Sequence, residues 1–422
     1  MRQITNRVRA GYAMGSFVTG AFNTVPGLLL LPYLTDHAGI SAGLAGLLVL
    51  APKAWDVVFN PVAGRISDRS GTRRPFLLGA GTAVAVLFAA LFASPFTGAG
   101  AAVYVTAVFL LCATAFAFFQ VPYLAMAPEI TPDYHERTRL MAWRMAVLAL
   151  AILVSGAGAP AVRDLGGGYP AVGAAIGALI LLGALASYAG TRGVPAATRS
   201  TTSTSARALL AAVRGSRRFR SLLAVFVVQA VGLGTMLAGV DYFARLVLED
   251  RSLQTFLFAG FVGPALLVMP LWQRFGRRHG KRRGVLVSSL LFTAAVVALI
   301  PARVEPVAVV LALMAVIGVG YAGMQVFFLS LLPDVITAEE ERSGESRAGL
   351  FSGVWTAGET LGLALGPGVY GLVLALGGYV PSTDGAATQS SGAVLAALLG
   401  FTVVPAVLAV VALPLLPREE SA

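Results

Sequence analysis

Apolar runs separated by short polar breaks recur along almost the whole chain, at about 10–34, 41–63, 76–95, 101–127, 140–162 and 169–189. They resume at 221–247, 254–272, 284–302, 307–332, 349–378 and 393–416. As helices rising ~1.5 Å per residue, runs of this length cross the ~30 Å hydrocarbon core of a bilayer. The pattern therefore predicts an all-α membrane protein of 12 transmembrane helices. No small-residue cleavage site follows a short apolar core in the first run, so it is read as a retained crossing helix rather than a removed signal peptide.

The polar breaks are unequal in charge. Of the 31 Lys and Arg, 25 lie in the amino-terminal tail, the alternate loops and the carboxy-terminal tail. Arg163, Arg245, Arg251 and Arg303 lie at the opposite ends of the runs, and Lys53 and Arg144 lie inside them. Because positively charged loops are retained in the cytoplasm, both termini are expected there and the number of crossings is even. Between the two sets of six runs, 191–220 carries seven arginines, no acid and the low-complexity stretch Ser200–Ser205. It reads as a basic cytoplasmic linker, with an interfacial amphipathic helix from Ala206 onward, between an N-terminal six-helix bundle (1–190) and a C-terminal one (221–422).

The halves repeat one another. Pro61-Val-Ala-Gly-Arg-Ile-Ser-Asp-Arg-Ser-Gly-Thr-Arg-Arg74 returns at an offset of 209 as Pro270-Leu-Trp-Gln-Arg-Phe-Gly-Arg-Arg-His-Gly-Lys-Arg-Arg283, with six of 14 positions identical. Pro128-Glu129-Ile130 with Glu136-Arg137 returns at offset 205 as Pro333-Asp334-Val335 with Glu341-Arg342. Like-oriented repeats imply two bundles related by a pseudo-twofold axis along the membrane normal, the geometry of alternating-access carriers with a site near the midplane. In the first copy, Arg65, Asp68 and Arg69, with Gly71 at a tight turn, suit a cytoplasmic gate whose charge-assisted bonds form in one access state and break in the other. The second copy has Arg277 in place of Asp68, so the same network is not expected there.

Composition narrows the classes further. Hydrophobic residues make up 57% of the chain and charged residues 12%, too little polar surface to solvate a soluble globule of 422 residues. The net charge of +11 sits in short loops beside apolar runs, where cytoplasmic retention and anionic headgroups account for it, so membrane lipids and not nucleic acid are the expected partners. Cys112 stands alone in an apolar run and His37, His135 and His279 are scattered, so no disulfide, metal set or Cys/His dyad is expected. The absence of a Gly-x-x-x-x-Gly-Lys-Ser/Thr loop argues against ATP as energy source. No enzyme activity and no cofactor is expected, and the chain is read as a monomer.

In Gly11-Tyr-Ala-Met-Gly-Ser-Phe17, Tyr33-Leu-Thr-Asp36, Ala54-Trp-Asp-Val-Val-Phe-Asn-Pro61 with Asp68-Arg69, Val121-Pro-Tyr123, Pro128-Glu-Ile, Glu136-Arg-Thr-Arg139, Pro333-Asp-Val and Gly349-Leu-Phe, the chain resembles one branch of the major facilitator superfamily. That branch is the glycoside-pentoside-hexuronide:cation symporters, the family of the melibiose permease, and the likeness covers residues 11 to 420. It implies a sugar or glycoside substrate, a coupling cation held at Asp56, with Lys53 a basic residue one turn earlier, and substrate contact at Arg144. It also exposes departures. The second cation-binding aspartate of the family is Asn60 here, and the sugar-binding aspartates fall at Gln120 and Gly20. The family's lysine on the eleventh helix falls at Thr360, beside Glu359. A proton or another monovalent cation is therefore expected in place of sodium.

Ionisable groups at membrane depth cost at least ~2.5 kcal/mol on insertion scales, which makes Lys53, Asp56, Arg144, Asp241 and Glu359 functional candidates. Lys53 and Asp56, three apart, are placed for a mutual ion pair, structural or exchangeable. Asp56 or Glu359 is the candidate coupling carboxylate; Glu359 could instead pair with Lys53 or Arg144 and only stabilise one state. Asp241 and Arg245 suit an i,i+4 pair near the external entrance, with direct substrate contact at Asp241 the alternative, and Arg144 stands near enough to the cytoplasmic end to snorkel. Gln120, Tyr123, Gln229, Gln325, Trp143, Trp355 and Thr356 are neutral hydrogen-bonding or stacking groups that suit a polyol or an aromatic solute, or simply helix packing. The expectation is a secondary transporter of a small organic solute, sugar or glycoside first. Export of an apolar metabolite or drug, a lipid or lysolipid transporter, and a membrane receptor stay open as alternatives.

Overall fold

The structure is a computed structural model and describes residues 5–70, 72–131, 133–192, 214–343, 348–383 and 387–416. The described chain is helical throughout and divides into two compact units. One is Met1–Thr201 with Val380–Thr388, and the other is Thr202–Tyr379 with Gln389–Ala422. Most of the basic linker, 193–213, lies outside the described residues.

The first unit contains α1 (Asn6–Met14), α2 (Ser16–Asp36), α3 (Ala42–Arg69), α4 (Arg74–Leu91), α5 (Gly98–Ile130), α6 (Tyr134–Val162) and α7 (Gly168–Gly190). Within it α3 and α4 both pack on α5, α4 packs on α7, α2 packs on α6, and α1 packs on α6 and α7. The second unit contains α8 (Arg217–Tyr242), α9 (Leu253–His279), α10 (Lys281–Ala298), α11 (Val307–Ser343), α12 (Ala348–Leu376), α13 (Ser391–Phe401) and α14 (Val403–Val411). There α9 and α10 pack on α11, α10 packs on α14, α8 packs on α12, and α13 and α14 pack on α8. The internal repeat read from the loops is thus repeated in the packing order of each unit. Among the described residues, nine helical stretches are long and apolar enough to cross a membrane.

Small residues let these helices approach closely, as expected where lipid removes the hydrophobic drive between helices and van der Waals contact has to supply it. On α8 and α12, a Cβ added at Gly366 would overlap the backbone of Gly234. The turn between α9 and α10 needs Gly280, whose φ of +85° is open to glycine at little cost. Gly71, its counterpart in the first copy of the motif, lies outside the described residues.

Both copies of the loop motif are tied to the second repeated motif of their own unit. Arg73 Nε lies 2.6 Å from Glu129 Oε1 at the end of α5, and Arg73 Nη1 donates to Ser67 Oγ at 3.1 Å. Lys281 Nζ lies 2.5 Å from Asp334 Oδ2 and also donates to the carbonyl of Ser330. Glu129 and Asp334 are the repeat-related acids, so one ionic tie serves both units. Arg73 is buried while Arg65 and Arg69 are exposed, and the side chain of Asp68 lies outside the described residues. The described ionic contact of this motif is therefore made by Arg73 rather than by Arg65 or Arg69. In the first turn of α6, Glu136 Oε2 lies 2.6 Å from Arg9 Nη2 of α1.

Removing one member of a buried pair leaves an uncompensated charge, whereas replacing both removes the desolvation cost as well. Arg73→Met is expected to lower stability by about 3 kcal/mol. Arg73→Met combined with Glu129→Leu is expected to recover most of that loss in thermal unfolding of detergent-solubilised protein.

Candidate functional site

In the first unit the ionisable groups gather where α2, α3 and α5 face one another. Lys53 and Asp56 of α3 are both buried. The ammonium of Lys53 donates to Asn23 Oδ1 of α2 at 3.2 Å and lies 4.3 Å from the centre of the Phe22 ring, which itself stacks on Phe116 of α5 at 3.9 Å. Asp56 Oδ1 is buried with no hydrogen-bond partner. Among the described residues no ion pair joins the two, contrary to the geometric expectation. The lysine side chain is long enough to reach α2, where an amide oxygen and a ring face take its charge without desolvating a carboxylate. One turn further on, Asn60 is half-buried. Beside this group Thr19 Oγ1 donates to Gln120 Oε1 at 2.8 Å, and Asn23 Nδ2 donates to the carbonyl of Thr19. A chain of neutral hydrogen-bonding groups thus runs from Gln120 through Thr19 and Asn23 to Lys53.

Gly20, where the resembling family carries an aspartate, is a packing position. A Cβ there would approach the Cβ of Ala151 on α6 to 2.8 Å, so no longer side chain fits without parting α2 from α6. Arg144 is buried, with its guanidinium 5.5 Å from the Tyr123 ring centre. Its Nε is buried without a hydrogen-bond partner, and its backbone carbonyl accepts from Ser16 Oγ. Tyr123 is locked by exchange with Tyr12: each hydroxyl donates to the other's backbone carbonyl, at 2.9 and 3.1 Å, and the rings stack at 4.7 Å. Tyr123 is therefore fully engaged in holding α5 to α1, and Arg144 is its neighbour rather than a snorkelling surface charge.

In the second unit Glu359 of α12 accepts from Gln325 Nε2 of α11 at 3.4 Å, and the same amide donates to the Tyr321 hydroxyl at 2.9 Å. These three line a hollow shared with Gln229, Leu233 and Phe328. Its cavity volume of about 20 Å³ is room for about one water molecule, so this hollow by itself does not enclose a solute. Gln229 spans α8 to its neighbours by donating to Ser289 Oγ and to the carbonyl of Ala409. Trp355 is buried and stacks on Phe226 at 4.1 Å, with its indole N–H buried and lacking a hydrogen-bond partner. Thr356 is exposed and its hydroxyl is bonded back to Ser352 of its own helix; Thr360 is half-buried, and Trp143 is exposed.

Asp241 belongs to a separate group at the far end of α8. It is fully buried between Arg245, 3.7 Å away, and Arg251, 3.4 Å away, and Arg245 also donates to the Tyr379 hydroxyl at 3.0 Å. The i,i+4 pair forms, and Arg251 closes it from the following turn. Cys112 is buried with its thiol toward the carbonyl of Val84, a packing role. Asn23 and Tyr321 escape a reading of the sequence alone because both are uncharged; their only signal is a polar side chain in an otherwise apolar run.

A family profile described as an MFS/sugar transport protein matches residues 11–418. The chain belongs to this transporter family. It is accordingly a multi-pass membrane protein of the major facilitator superfamily, not an enzyme. Among proteins similar to it, a candidate glycoside/cation symporter, YagG, of Escherichia coli K12 is 29% identical over 97% of this chain and 90% of its own. The glucuronide carrier protein homolog of the same organism is 24% identical over 90% and 85% of the two chains, and the isoprimeverose transporter of Lactiplantibacillus pentosus 24% over 94% and 85%. In fold, the chain superposes on the nucleoside transporter NupG with a TM-score of 0.71 at 14% identity, covering 97% of this chain and 99% of that one. On a bacterial homologue of the human lysosomal transporter Spinster it reaches 0.73 at 12% identity, covering 97% and 95%.

A buried lysine held, among the described residues, by an amide and a ring costs stability. Lys53→Met is expected to leave the melting temperature of the purified transporter unchanged or raised while reducing solute flux at least tenfold. A matching loss of stability and flux would instead mark Lys53 as structural.

Proposed function

We propose that this protein moves a small organic solute of the sugar or glycoside class across the cell membrane by alternating access, coupled to a proton or another monovalent cation. It works as a monomer among membrane lipids, with no cofactor. It has twelve crossings and both termini in the cytoplasm. Two observations support the count beyond the nine apolar stretches. One stretch, Arg139–Gly190, contains two helices joined by a turn at Gly166 and Gly168, and α3 and α10 are of spanning length but rich in charge. The bias of Lys and Arg toward one set of loops supports the orientation.

The observation that carries the proposal is the state of the interior ionisable groups. Lys53, Asp56 and Glu359 lie within the spanning helices with neutral partners or, for Asp56, a buried oxygen that has no hydrogen bond, where a purely structural charge would be matched by an opposite one. Such groups can exchange partners as a cation arrives and leaves. Glutamine, asparagine and threonine around them, with the Trp355 and Phe226 rings, suit hydroxyl recognition and sugar stacking. The names of the relatives, a glycoside symporter, a glucuronide carrier and an isoprimeverose transporter, agree with that class. A second reading, export of an apolar metabolite or drug or movement of a lipid or lysolipid, draws support from the apolar lining of the second unit's hollow by Phe226, Leu233, Phe328 and Leu363.

Reconstituted in vesicles, the transporter is expected to accumulate a glycoside under an inward proton gradient without sodium. Glu359→Gln should abolish accumulation while sparing solute exchange at equilibrium. Intact gradient-driven accumulation in both Glu359→Gln and Asp56→Asn would sink the coupling proposal, and flux of hydrophobic cations in preference to glycosides would select the second reading.

A further inference from the structure

Around the small hollow of the second unit, the polar side chains are Gln229 of α8, Tyr321 and Gln325 of α11, and Glu359 of α12. Every amide hydrogen among them is already used. Gln229 Nε2 donates to Ser289 Oγ at 3.1 Å and to the carbonyl of Ala409 at 3.2 Å, and Gln325 Nε2 donates to Tyr321 Oη at 2.9 Å and to Glu359 Oε1 at 3.4 Å. A carbonyl and an ionised carboxylate can only accept, so these contacts fix which end of each amide carries the nitrogen. What remains in the wall is oxygen: the Glu359 carboxylate, the amide oxygens of Gln229 and Gln325, and Tyr321 Oη with its one hydrogen.

Two of these oxygens lack what an acceptor in such a place normally has. Gln229 is 5% exposed, and its Oε1 is buried without a hydrogen-bond partner. Glu359 has no cationic partner among the described residues; its contact is the neutral amide of Gln325. The rest of the wall, with Phe226, Leu233, Phe328 and Leu363, is apolar and relieves neither. All four polar residues stand more than ten residues, or ~15 Å, from either end of their helices, at a depth where an unmatched carboxylate is costly. A cavity volume of about 20 Å³ suits a single object the size of a water molecule.

We infer that this hollow binds one monovalent cation, held by the Glu359 carboxylate, Gln229 Oε1, Tyr321 Oη and Gln325 Oε1. A wall of acceptors with one negative charge repels anions and offers a neutral water more acceptors than its two hydrogens can use. Hard cations take such oxygens as ligands, and one carboxylate in an apolar surrounding balances one positive charge but not two. A hydronium ion and a bare alkali ion both meet that description. Gln229 and Tyr321 then position the cation on Glu359, beyond joining helices. Glu359 and Tyr321 are the titratable groups of the wall. On the elements packed against α12, the others lie toward helix ends: Arg217, Arg218, Arg220, Asp241 and Tyr242 on α8, Asp334 and residues 339–342 on α11, and none on α13; Tyr370 follows about three turns along α12 itself. The inference deepens the coupling proposed above and rests on it only for the use of the bound ion in transport.

Purified full-length transporter, without solute or gradient, tests this. Its melting temperature is read in choline chloride at about pH 8, with choline then replaced by lithium, sodium or potassium at constant ionic strength, and separately in choline as the pH is lowered to about 6. One of these cations is expected to raise the melting temperature by several degrees, saturably. Glu359→Gln should abolish the shift. Tyr321→Phe, which removes one oxygen and keeps the ring, should raise the half-saturating concentration about tenfold or more. Gln229→Met should weaken it likewise, from a lower starting temperature because the bonds to Ser289 and Ala409 go with it. Asp56→Asn, in the first unit, should leave the shift in place. A response to an alkali ion assigns the site to that metal and a response to acid alone assigns it to hydronium, and either supports the site when Tyr321→Phe weakens it. No response to any cation, a response unchanged in both Tyr321→Phe and Gln229→Met, or one lost in Asp56→Asn and kept in Glu359→Gln would overturn the inference. Uptake indifferent to the bound ion would count against the proposed coupling and not against the site.

Discussion

An ionised group cannot sit unmatched in an apolar bundle without a large desolvation cost, and this constraint orders the charges of the chain. Where helices end, the cost is met by opposite charge: Arg9 with Glu136, Arg73 with Glu129, and Asp241 between Arg245 and Arg251. Deeper in the helices the solution changes. Lys53 rests on an amide oxygen and an aromatic face, and Glu359 on the amide of Gln325. Neutral dipoles soften the cost without cancelling the charge, which leaves each group able to accept a better partner.

The ties at the helix ends also explain how one duplicated sequence yields two similarly packed units. Each joins the segment after one helix, α3 in the first unit and α9 in the second, to the later part of another, α5 or α11, and those helices pack together in both units. The residue that makes the tie has slipped by one position, from Arg73 to Lys281 where strict repetition would use Arg282. A salt bridge between flexible side chains tolerates that shift because any ammonium or guanidinium within reach will serve. Glycine contacts such as Gly234 against Gly366 tolerate no such exchange, since they place backbone on backbone.

The order and type of the helices were legible in the sequence because a bilayer imposes a length and a composition on every spanning segment. The predicted runs 76–95 and 254–272, for example, fall on α4 and α9 to within a few residues at one end; at the other, α9 runs on to His279 because the basic loop motif itself continues the helix. The candidate site was only partly legible. Helical spacing put Asp56 within reach of Lys53, but spacing along one helix says nothing of what a neighbouring helix offers, and Asn23 with Phe22 on α2 supplied the better cradle. The same blindness concealed the Gln120–Thr19 bond, the locked Tyr12–Tyr123 pair and the role of Tyr321. Asp241 with Arg245 was readable because both partners lie on one helix, whereas Arg251 joined from a turn whose path the sequence does not reveal.

These differences bear on what kind of carrier the chain is. At Gly20 the resembling family's carboxylate is replaced by a contact between helices, and at Gln120 by a neutral amide bonded to Thr19, so a solute meeting this unit finds donors and acceptors but few fixed negative charges. Under the proposed coupling, Asp56, with an oxygen that has no hydrogen bond, is the carboxylate of the α2, α3 and α5 cluster that would respond to a cation, and Lys53 on the same helix would compete with it. A proton can neutralise Asp56 without further ligands, whereas sodium needs several oxygens in a shell and finds Asn60 where a second carboxylate would help. This is the physical ground on which the proposed coupling names a proton before sodium.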